Sequence, residues 1–79
     1  MVCLNNTEIV DDSMKQFYFI FCKVKENYDT LMTPHNMEII NNNSMKNKFI
    51  NMGFNIKDAE CMTFAFMFLI YISLCNSLN

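Results

Sequence analysis

Seventy-nine residues allow one domain at most, and a domain that small buries only about 60% of the surface its unfolded chain exposes. A hydrophobic content of 52% excludes disorder for most of the chain, while one Gly and one Pro exclude a turn-rich β architecture. A net charge of −2, with every basic residue a lysine, excludes the arginine-rich basic face typical of a nucleic-acid partner; the Lys23/Lys25 and Lys46/Lys48 pairs read as solvated surface.

Residues 1–12 read as an N-terminal lead-in, and residues 13–79 as one helical domain. Ser13 has Gln16 three residues on, the spacing of a capping box, with Asp11 and Asp12 placed to meet a helix dipole. Met14, Phe17, Phe21, Val24, Tyr28 and Leu31 then recur at steps of three and four, which predicts a long helix over 13–32. Phe19 and Ile20 lie off that stripe, so the helix is apolar on more than one side. Phe17 to Cys22 would also suit a strand by composition, but the cap and the long stripe favour helix.

Thr33-Pro34 is a start signal, since proline suits the first helical position; a short helix over 34–41 presents Met37, Ile39 and Ile40. After Asn41-Asn42-Asn43, Ser44 is the expected cap of another short helix over 44–52, with Met45, Phe49, Ile50 and Met52 as its apolar positions. Gly53 is placed as a left-handed stop, with Phe54 folding back on the helix it leaves. Asn55 opens the last helix, over 56–77, with Asp58 and Glu60 near its positive end. The fold class is therefore all-α: a small bundle of about four helices, two long and two short.

The last helix decides most. From Cys61 to Cys75 no residue carries charge, and only Thr63, Tyr71 and Ser73 are polar. A helix apolar all round is either a central core element or a membrane span. That uncharged run reaches roughly 22 Å, short of the about 30 Å of a hydrocarbon core, which favours a protein environment. Two short helices and one long one cannot cover it, so a protein partner or a second copy of the chain is expected. Phe17, Phe21 and Val24, with Phe64, Phe68 and Tyr71, are the residues expected in the core or the interface. The alternative is a small tail-anchored or complex-bound membrane protein, with residues 59–76 as the span and the N-terminus in the cytoplasm. Lys57 before the run and no positive charge after it fit that orientation.

Chemistry-bearing constellations are few. Cys3, Cys22, Cys61 and Cys75 lack zinc-ligand spacing, and no secretory leader is visible, so a cytoplasmic location with reduced thiols in packing roles is expected. His35 has Glu38 three residues on, which reads as a surface contact rather than a catalytic dyad. A cysteine nucleophile finds no supporting pattern, a single glycine forbids a phosphate loop, and the carboxylates form no calcium loop. No catalytic residue, metal or cofactor is expected, and the protein reads as non-enzymatic. Asn5-Asn6-Thr7 and Asn42-Asn43-Ser44 match glycosylation acceptors, as chance allows in so asparagine-rich a chain.

Asn, Ile, Phe, Tyr, Lys and Met dominate while Arg and Trp are absent, a usage that follows AT-rich codons and points to an AT-rich genome, viral genomes among them. A capped, wholly apolar helix behind shorter amphipathic ones is similar to the layout of small viral all-α interaction proteins, including the Bcl-2-like modules of poxviruses, which are longer. That similarity implies a binding role.

Overall fold

A computed structural model describes residues 2–78 of the chain, with side chains described from Met14 to Asn76. Five helices follow one another: α1 (Val2–Glu26), α2 (Tyr28–Leu31), α3 (Pro34–Asn41), α4 (Ser44–Asn51) and α5 (Ile56–Leu78). Among the described residues no strand forms, and the all-α bundle is the fold. Two helices are long, two are short, and α2 is a single turn.

Two boundaries differ from expectation. The first helix starts at Val2, so the backbone of residues 2–12 is helix rather than lead-in, and Ser13 lies inside α1 instead of capping it. Neither Gly nor Pro interrupts residues 2–13, and a capping box stabilises a start without forbidding a helix from running through it. Cys3 and the Asn5–Thr7 acceptor lie outside the described side chains.

The second difference is at Asn27. Its Nδ2 donates to the Lys23 carbonyl at 2.8 Å, and φ −108°, ψ 27° takes the residue out of helical geometry. An asparagine side chain that bonds a nearby backbone carbonyl competes with helix propagation, and here the expected 13–32 helix is split into α1 and α2.

The remaining termini follow local chemistry. Thr33 Oγ1 accepts from Asn36 N at 3.2 Å, with Pro34 at the first helical position. Asn55 Oδ1 accepts from Asp58 N at 2.7 Å. The cap of α4 is Asn43 rather than Ser44: Asn43 Oδ1 accepts from Met45 N at 2.9 Å while its backbone stays extended. Asparagine caps as well as serine does, so the choice falls to whichever residue holds the non-helical backbone. Gly53, at φ 106°, ends α4; Gly53 N donates to Ile50 O at 3.0 Å and Phe54 N to Phe49 O at 3.3 Å. That pair of bonds is a Schellman stop, and the Phe49 and Phe54 rings meet edge to face at 6.4 Å, the expected fold-back.

The core lies along the first half of α5. Ala59, Cys61, Thr63 and Ala65 are fully enclosed there, met by Val24 of α1, Ile40 of α3 and Phe49 of α4. Small side chains at these α5 positions let the neighbouring backbones come close. The buried Thr63 hydroxyl is satisfied within the helix, donating to Ala59 O at 2.7 Å. Helix α1 runs antiparallel to α5: Lys25 pairs with Asp58 at 2.9 Å, and Ile20 and Phe19 lie further along, beside Phe64 and Phe68.

Candidate functional site

Two regions of the bundle have unusual character, and both are built on α5. The first is polar and sits at its N-terminal end. Glu60 is only 5% exposed, a carboxylate that water scarcely reaches. Leaving such a charge unpaired is costly, so partners converge on it. Tyr28 Oη donates to Glu60 Oε1 at 2.7 Å, and Lys46 Nζ lies 3.7 Å from Glu60 Oε2. Lys46 also donates to Asn41 Oδ1 at 2.5 Å. One carboxylate thus ties α2, the end of α3, and α4 to α5. Lys57 Nζ lies 4.7 Å from the Tyr28 ring centroid. The Tyr28 hydroxyl is pushed up to about 12, first by its bond to Glu60, then by burial and by the carboxylate's charge.

This cluster corrects two expectations. Glu60 is a buried anchor and not a dipole charge at the helix end, whereas Asp58 does occupy the first turn of α5. Lys46 is not solvated surface; its side chain is 18% exposed. A polar doublet flanking the start of a helix carries no sequence mark of which member turns inward.

The second region is apolar. A groove of about 400 Å³ runs between α1 and α5, floored by Phe19, Ile20, Val24, Leu31, Phe64 and Phe68. Beyond it, α5 loses its cover: Ile70, Tyr71 and Leu74 are exposed, Tyr71 by 66%. On α1, Met14, Tyr18 and Phe19 are bare as well.

The six residues expected in core or interface divide between these environments. Val24 is buried and lines the groove with Phe64, which is half-buried, and Phe68, which is exposed. Phe17 and Phe21 are half-buried; the Phe21 ring meets Tyr18 at 6.2 Å and carries the Lys25 ammonium 5.6 Å from its centroid. Tyr71 stands in solvent beyond the groove. The groove's other walls, Phe19 and Ile20, are the residues that fall off the periodic stripe of α1, and that departure was the available signal.

Cys22, Cys61 and Cys75 are free thiols, and burial pushes the Cys61 thiol above its usual range. His35 and Glu38 are both exposed, and among the described residues no bond joins them. No group of three or more metal-ligating side chains is gathered among the described residues. No protein-family model, curated protein or solved structure matches the chain.

Proposed function

We propose that this is a non-enzymatic helical protein that acts through protein–protein contact, and that it self-associates through the distal half of α5 and the adjoining face of α1. The observation that carries the reading is the bare α5 end: Phe68, Ile70, Tyr71 and Leu74 are each at least 44% exposed on a helix with no charge beyond Glu60. Contiguous apolar surface of this kind on a soluble chain marks a contact site. With this reading goes a cytoplasmic location, where thiols stay reduced.

A membrane anchor is the second reading. Ile56–Asn76 has the length and composition of a span, and its most apolar 18-residue stretch has a mean hydropathy of 1.5 with only 28% of its residues buried within the fold. Against it stands the docked end of α5. Asp58 and Glu60 are tied to Lys25, Tyr28 and Lys46, and keep the first turns in the bundle.

Sedimentation velocity of the parent chain and of the double variant Ile70→Lys/Leu74→Lys tests the reading. Both positions are exposed, so the variant keeps its helicity by circular dichroism while association weakens by about 100-fold or more, as expected for charges set into an apolar contact. Parent and variant sedimenting alike as monomers would remove the reading; a parent chain that stays in solution only with detergent would favour the anchor.

A further inference from the structure

We propose that the α1–α5 groove is a binding site for a free fatty acid, with the hydrocarbon chain along the groove and the carboxylate against Lys23. The floor consists of Ile20, Val24, Leu31 and the rings of Phe19, Phe64 and Phe68, with no polar side chain among them. At about 400 Å³ the volume sits at the lower end of small-molecule sites and suits one hydrocarbon chain rather than two.

The mouth sets the chemistry of the occupant. Lys23 is the sole formal charge among the residues lining the groove; Asn27 and Thr30 are the other polar ones. The Lys23 ammonium lies 5.5 Å from the centroid of the Phe19 ring, which itself lines the groove. Its ion pair with Glu26 is long, at 3.6 Å, and exposed at both ends, so it is weak and readily exchanged for a ligand carboxylate. Thr30, also at the lining, adds a hydroxyl to this polar side of the groove. An apolar side chain of a protein partner would use the floor and leave these polar groups idle, whereas a single-chain carboxylate uses both. Self-association also draws on Ile70, Tyr71 and Leu74, which do not line the groove, while Phe19 and Phe68 belong to both surfaces; the Ile70→Lys/Leu74→Lys variant leaves the groove lining intact and so separates the two proposals.

The test is calorimetric titration of the full chain with dodecanoate below its micelle concentration, beside decanoate, dodecanol and neutral or anionic phospholipid vesicles. The expected result is saturable binding of dodecanoate, weaker binding of decanoate by on the order of tenfold for the two methylenes lost, and no comparable uptake by vesicles. Lys23→Gln weakens dodecanoate by about fivefold and leaves dodecanol unchanged. Methyl NMR gives an independent readout: dodecanoate shifts the Ile20, Val24 and Leu31 methyls and spares those of Ile70 and Leu74. Equal affinity for dodecanoate and dodecanol, no effect of Lys23→Gln, shifts centred on Ile70 and Leu74, or binding to vesicles alone would each overturn the proposal.

Discussion

At the scale of single residues, the Tyr28–Glu60 contact is the most consequential polar interaction in the bundle. A buried carboxylate destabilises a fold unless donors reach it, and Glu60 receives the Tyr28 hydroxyl at 2.7 Å with Lys46 behind. The contact favours the neutral phenol, so the folded-state value of Tyr28 stands at about 12 against an ordinary 10.0. The stabilisation is complete below pH 10 and is lost as pH rises toward 12. Lys25, raised by its hydrogen bond to Asp58, and Cys61, raised by burial, lose support in the same direction. Comparison with Tyr28→Phe isolates the tyrosine. That variant is expected to be less stable by about 1–2 kcal/mol at neutral pH, a hydrogen bond to a charged group at a half-buried site. It also lacks the tyrosinate absorbance step near pH 12. Urea unfolding on both sides of the window checks this; parent and variant losing stability in parallel would count against the contact.

At the scale of elements, the stops and starts with their own side-chain chemistry were legible. Thr33-Pro34, Asn55 and the Gly53-Phe54 fold-back each behave as their residues dictate, because a cap is settled within four or five residues. Gly53 offers a direct check. A Cβ there would meet nothing within 4 Å, so the cost of a side chain is backbone strain at φ 106° alone. Gly53→Ala is expected to cost about 1–2 kcal/mol, and Gly53→Asn less, since asparagine tolerates left-handed geometry better. Thermal unfolding that ranks the two variants the other way would show that the stop is not held by conformation. The start of α1 and the break at Asn27 were not legible. Ser13 carried the chemistry of a cap but nothing upstream broke the helix, and Asn27 interrupts an apolar stripe that itself continues unbroken to Leu31. In both places a weak local preference was set against propagation, and its outcome depends on more than the residues beside it.

At the scale of the whole molecule, the balance between apolar surface and the chain available to cover it sets the behaviour. Helix α5 is apolar on every side, and the three helices packed on it enclose only its first half, where Ala59, Cys61 and Ala65 vanish from solvent. No side chain from Phe66 to Asn76 is buried, and Phe68, Ile70, Tyr71 and Leu74 are exposed, because α3 and α4 are short and both dock at the other end. Sequence reading reached that mismatch from Cys61–Cys75 alone. It did not find the groove mouth or the Glu60 cluster. Each needs the packing of α1, α2 and α4 against α5, which sets Lys23 beside the same groove as Phe64 and turns Lys46 inward, and periodicity within one helix does not encode it.

The mass of the unmodified chain in detergent-free buffer, followed by light scattering over a wide concentration series, tests the central claim most directly. A bare α5 end covered by a second copy gives a mass of at least twice 9.3 kDa that falls toward the single-chain value on dilution. A mass that holds at 9.3 kDa at every concentration, with the chain freely soluble, would contradict it.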